Sequence, residues 1–124
     1  ADSDTISDSP VFVRGEPDQA TKERVPRRFV SILAGAQPQP FKNGSGRMDW
    51  AEAMVDSSNP LTARVIVNRV WQYHFGKPLV GSTGDFGLQT PQPVQAPLLD
   101  WLAVTFMEDG WSIKQLHRRI MLSQ

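Results

Sequence analysis

The chain contains no cysteine. Disulfides, cysteine-ligated zinc, iron-sulfur clusters and a covalently attached c-type haem are therefore excluded for this segment, while the compartment stays open, because a core of this size is stable in either redox environment. Net charge is missing too, since 13 basic side chains balance 13 acidic ones. A neutral chain has no bulk electrostatic hold on nucleic acid or on a membrane surface. No apolar run approaches the ~18 residues of a membrane span, and the first residues lack the basic-then-apolar order of a signal peptide. Histidine is scarce: there are only His74 and His117, in neither a His-x-x-x-His nor a His-Glu-x-x-His spacing. No metal and no cofactor is expected on that basis.

What remains is a chain of 124 residues, long enough to bury roughly two thirds of the surface its unfolded form exposes. Its densest apolar and aromatic run extends from Asn59 to Gly76. Asn59 suits a helix cap, Pro60 the first helical position and Gly76 the left-handed residue that ends a helix, so a buried central helix is expected here. The Val65-Ile66-Val67 triplet favours strand, but length and the two marked ends decide for helix.

Around it, residues 1–10 are acidic and Ser-rich and are expected to form a disordered leader. Val11-Phe12-Val13 reads as a short edge strand, residues 16–25 as a loop, and residues 26–33 as either a turn of helix or extended chain. Residues 34–46, rich in Gly and Pro, read as an irregular connector. Met48, Ala51 and Val55 predict a short amphipathic helix over 47–55. Residues 77–96 form a long loop with Leu79, Val80, Phe86 and Leu88 as anchors. Leu98, Trp101, Leu102, Thr105 and Phe106 predict a helix over 97–108. Ser112 and Gln115 then make a capping box for a last helix, with Ile113, Leu116, Ile120 and Met121 buried and Lys114, Arg118 and Arg119 facing water. The fold class is mainly α: a single compact domain over 11–124 with about four helices, an extended N-terminal arm and a long ordered loop. The last helix reads as running through the final residues, so the chain is expected to be a fragment of a longer one.

Candidate chemistry is thin. Arg64 and Arg69 lie in the most apolar helix and need partners if buried, with Asp49, Glu52, Asp85 and Asp100 available. A Ser82, His74, Asp85 arrangement lacks the Gly-x-Ser-x-Gly turn. The 81–87 stretch has neither the Gly-Lys-Ser/Thr ending of a phosphate loop nor, around Asp85-Phe86-Gly87, the other kinase motifs. Asp85 and Asp100 make a conceivable glycosidase pair. The last two helices have a helix-turn-helix outline with basic residues, the DNA-binding alternative, but the neutral chain favours a solvated face.

The chain nevertheless carries long ordered motifs: Ser45-Gly46-Arg47, Asn59-Pro60-Leu61-Thr62-Ala63-Arg64-Val65, Val67-Asn68-Arg69-Val70-Trp71, His74-Phe75-Gly76, Asp85-Phe86-Gly87, Leu98-Leu99-Asp100-Trp101-Leu102-Ala103, and Gly110-Trp111-Ser112-Ile113-Lys114 with Leu116-His117-Arg118. With Val13-Arg14-Gly15 and Val25-Pro26-Arg27-Arg28-Phe29 upstream, the sequence resembles the planctomycete cytochrome-associated domain of unknown function abbreviated PSD. The resemblance implies the C-terminal part of a large exported protein with cytochrome c-like domains upstream, linked to polysaccharide handling or surface electron transfer. It carries over no catalytic residue. Where relatives tend to read Ser/Thr-His-Pro-Glu before Leu-Leu-Asp-Trp, this chain has Val94-Gln95-Ala96-Pro97. The resulting expectation is a non-catalytic interaction module whose partners are other domains of its parent chain or polysaccharide, without nucleic acid or a membrane span. Its organising cluster is expected to be Arg64, Asn68, Arg69, Trp71, Asp85, Phe86 and Trp101, with a ligand groove along the long loop beside Trp101 and Asp85.

Overall fold

The computed structural model describes residues 6–123 and is mainly α, with two compact units that divide between Asn59 and Pro60. The first unit opens on an antiparallel hairpin, β1 (Ser9–Phe12) and β2 (Ala20–Val25), paired through Ser9↔Val25, Pro10↔Arg24 and Phe12↔Ala20 with an irregularity between Pro10 and Phe12. Residues 1–5 of the expected leader lie outside the described residues. Ser9 and Pro10 are strand rather than leader, and Asp8 beside them accepts a 2.9 Å bond from Arg27 Nε. β2 falls in the segment expected to be loop. Its residues are mostly exposed, so no buried face imposes the alternation by which a strand is read. Val13 leaves the strand for a tight turn in which Arg14 takes a φ of 53°.

The aromatic centre of this unit is Trp50, which meets the rings of Phe29 and Phe41 edge-on at 5.1 and 6.2 Å. A short helix, α1 (Ser31–Ala34), and an irregular connector lead to α2 (Arg47–Val55). The amphipathic reading of α2 is corrected: none of its residues is buried, and Met48 and Val55 are exposed. Asp49 in its first turn accepts the backbone N–H groups of Lys42 and Asn43 at 2.8 and 3.1 Å, which suits a carboxylate at the positive end of a helix. Asn59 is buried, and its amide donates to the Met54 carbonyl at 3.0 Å, helping to close α2.

The second unit contains α3 (Pro60–Phe75), α4 (Ala96–Glu108) and α5 (Ile113–Met121). Pro60 and Gly76 bound α3 as expected, Gly76 with a φ of 74°. Only one face of α3 is buried, through Ala63, Val67 and Asn68; Tyr73 and Phe75 are exposed. α4 buries Leu99, Leu102, Ala103, Thr105 and Phe106, so its buried stripe is turned by about one residue from the expected one and leaves Trp101 exposed. α5 buries only Leu116 and Ile120; Ile113 and Met121 are exposed, which corrects the wider stripe. The helix ends at Met121 rather than running on, with the Ser123 hydroxyl donating to the Ile120 carbonyl. Val80 joins this core from the loop, with Leu79, Phe86 and Trp111 half-buried against it, whereas Leu88 is fully exposed and anchors nothing. No helix among the described residues is long and apolar enough to cross a membrane.

Candidate functional site

The expected cluster does not form one site, and the structure distributes its members. Asn68 is fully buried and serves as a strand neighbour in side-chain form: its Oδ1 accepts the Val80 N–H at 2.9 Å, and its Nδ2 faces the Val80 and Ser82 carbonyls at 3.3 and 3.4 Å. A buried amide bonded on both its donor and acceptor sides fixes the loop that contains no regular structure of its own. Further along, Asp85 is exposed and accepts the Gly87 N–H at 2.7 Å, closing a turn, while Phe86 is half-buried against the core.

Arg64 bonds Asp100 on α4, Nε to Oδ1 at 2.6 Å, and donates to the Pro60 carbonyl at 2.7 Å. With side chains 31% and 49% exposed, this is a partly solvated pair that ties α3 to α4, of the kind that contributes ~1 kcal/mol or less. Arg69 is exposed and makes no hydrogen bond or ion pair among the described residues, so of the two arginines expected to need partners if buried, Arg64 has an acidic one and Arg69 lies in the open. Five residues along a helix turn the chain by about 140° from its starting face, so the two guanidiniums cannot share one side.

Trp71 and Trp101 do come together. They line a groove of about 640 Å³ whose other wall is α5, with Gln115, Arg118 and Leu122. Trp101 is 55% exposed, and Trp71 is backed by Phe75 at 4.3 Å between ring centroids. A second groove, of about 440 Å³, runs along the loop beside Trp71, with Phe75, Leu79, Val94 and Gln95. The groove beside Trp101 thus faces α5 rather than the long loop, and Asp85 lines neither groove.

The α4–α5 corner joins the two helices that line that groove. Gly110 and Trp111 take consecutive left-handed conformations, φ 67° and 60°, and the Trp111 N–H donates to the Phe106 carbonyl at 2.9 Å. Trp111 meets the Phe106 ring edge-on at 5.3 Å, a contact that offsets the ~1 kcal/mol or more a non-glycine residue loses in this region. Across the corner, Arg119 grips Asp109 with two bonds, 2.9 and 3.0 Å. His74 and His117 meet at 2.7 Å between Nε2 and Nδ1, so one ring donates while the other accepts. The basic face of the helix-turn-helix outline is thereby reduced: Arg119 is neutralised and His117 turns toward α3.

The Arg119 guanidinium, against a smaller opposing desolvation, holds the Asp109 carboxyl below the usual carboxylate range. A carboxylate depressed in the folded state contributes stability above its unfolded value, near ~4, and loses it as pH falls through the folded value. In urea titrations the stability gap between the natural chain and Asp109→Asn is therefore expected to be widest near neutrality and to close toward a pH of about 2. A gap that stays constant would show that the pair contributes nothing to this helix corner.

Among the described residues no three His, Cys, Asp or Glu side chains converge as a metal cluster would require. Gln115, Arg118 and Leu122 were absent from the sequence-based set. Their i, i+3, i+7 spacing, from α5 into its C-cap residue Leu122, is the signal that places them on one side of the helix. In comparison with known proteins, residues 46–124 match the model of a family described as PSD1, protein of unknown function (DUF1553). No curated protein and no solved structure matches.

Proposed function

The chain belongs to the PSD1 family of proteins of unknown function (DUF1553), and from that premise we propose that residues 60–124 act as a non-catalytic interaction module that docks a polysaccharide chain in the groove between α4 and α5. The supporting observation is the half-exposed indole of Trp101, facing a groove that also holds Trp71 and the donors Gln115 and Arg118. An indole offers a flat apolar surface to the C–H face of a sugar ring, and amide and guanidinium groups beside it bond the ring hydroxyls. Among the described residues no carboxylate lines the groove. Asp100 is held by Arg64 and Asp85 by its own turn, whereas a glycan hydrolase needs two carboxylates facing one sugar subsite. The resemblance to an exported, multidomain, cytochrome-associated protein adds a compartment to this proposal, and neighbouring domains of such a parent are the competing occupants of the groove.

The test is affinity electrophoresis in gels containing soluble polysaccharides, with circular dichroism as the control for folding. Trp101→Ala is expected to lower affinity by about thirtyfold, the loss typical of truncating a central aromatic anchor. Equal retardation of the variant, or reducing ends released into the gel, would count against the module.

A further inference from the structure

The two grooves of the second unit meet at one side chain. Trp71 lines both, and Gln95 and Leu98, one turn apart at the start of α4, line one groove each, so the grooves share a border. Building on the reading of the α4–α5 groove as a polysaccharide site, on which this inference rests, we propose that the ligand is an acidic chain. It carries carboxylate or sulfate groups and is long enough to cross Trp71 and occupy the loop groove as well.

Continuity comes from the aromatic residues. Trp71 and Phe75 lie four residues apart on α3, hence on one face, and their ring centroids are 4.3 Å apart. Phe75 is 54% exposed, as open as Trp101, so Trp101, Trp71 and Phe75 offer flat apolar surface in both grooves. At about 640 and 440 Å³, each groove falls within the ~300–1,000 Å³ of small-molecule sites. A short sugar therefore fills one groove, and only a longer chain reaches both.

Charge selects the chain. The zero net charge of the whole molecule hides an uneven split, because residues 60–124 carry six basic side chains and four acidic ones. Asp100 is taken up by Arg64 and Asp109 by Arg119, while Asp85 closes its own turn. Glu108, which acts on Arg119 from the end of α4, lines neither groove. Arg118 in the first groove and Lys77 in the second are exposed and make no side-chain hydrogen bond or ion pair among the described residues. Among those residues no carboxylate lines either groove. Each groove thus presents a cation without an acidic partner. A neutral sugar leaves both cations so, whereas acid groups repeated along a chain supply a charge-assisted bond to each.

Calorimetric titration of the whole 124-residue chain with oligosaccharides of defined length tests this. The probes are oligogalacturonates, sulfated carrageenan oligosaccharides and neutral β-linked galacto-oligosaccharides, each as disaccharide and octasaccharide. At least one acidic octasaccharide is expected to bind about tenfold or more tighter than its own disaccharide and than the neutral octasaccharide, the responding class identifying the acid group. High salt is expected to remove the margin over the neutral chain. Lys77→Glu should lower the ratio of octasaccharide to disaccharide affinity about tenfold, and Lys77→Gln by a smaller factor, whereas Trp101→Ala weakens both lengths. Equal affinity for acidic and neutral octasaccharides, or an unchanged ratio in Lys77→Glu, overturns the proposal, and the α4–α5 groove reading survives if Trp101→Ala still weakens binding. Binding untouched by Trp101→Ala overturns both readings, and no binding by any probe up to roughly tens of millimolar overturns this one.

Discussion

Replacing Asn68 with alanine is expected to lower the unfolding free energy by roughly 2–4 kcal/mol, read as a shift of the urea midpoint at unchanged slope. The loss has two parts. Val80 N–H and two carbonyls lose the amide that satisfies them in a site without solvent access at Asn68, and the missing side chain leaves a void beside Val67 and Val80. Asn68→Asp separates the hydrogen-bonding part from packing. The shape is kept, but one carboxylate oxygen now faces the Val80 and Ser82 carbonyls in a buried site, which raises the carboxyl's folded-state proton affinity. The folded state then binds more protons than the unfolded one. Stability of this variant should fall as pH rises above about 4 and level off once the buried group ionises. A variant as stable as the natural chain at neutral pH would mean that the loop is held by something other than this amide.

Leu116→Ala is the second large effect, at about 2–5 kcal/mol for a leucine removed from a filled site. Leu116 is among the largest fully buried side chains, and with Ile120 it is one of only two residues that α5 sinks into the core. Because α5 forms one wall of the groove, the loss is not confined to stability. Hydrogen exchange should accelerate across 113–121 before it does across α3, and affinity for any groove ligand should fall with it. Uniform acceleration throughout the second unit would show instead that α5 opens only with the whole unit.

The parts legible in the sequence are those fixed by local chemistry. Pro60 and Gly76 mark the ends of α3 because a ring-locked φ and a left-handed residue act within one turn. Ser112 and Gln115 mark the start of α5, and the Gln115 N–H does donate to the Ser112 hydroxyl, at 3.3 Å. The hidden parts depend on what lies across space. α4 is apolar around most of its circumference, with Leu98, Leu99, Trp101, Leu102, Ala103, Val104 and Phe106, so periodicity defines no unique buried face and packing against α3 selects Leu99 over Trp101. The His74–His117 bond joins residues 43 apart, and the Arg64–Asp100 bond residues 36 apart; neither has a local signature. β2 escapes notice because it buries no face.

The composition of the α4–α5 groove has one further consequence. Among the described residues its only ionisable lining side chains are Arg118 and Arg119, and arginine keeps its proton at any acidity the fold survives. Recognition there is therefore deaf to the small pH swings that retune histidine-lined surfaces, while dissolved ions, by crowding around a permanent cation, weaken whatever anionic grip it has.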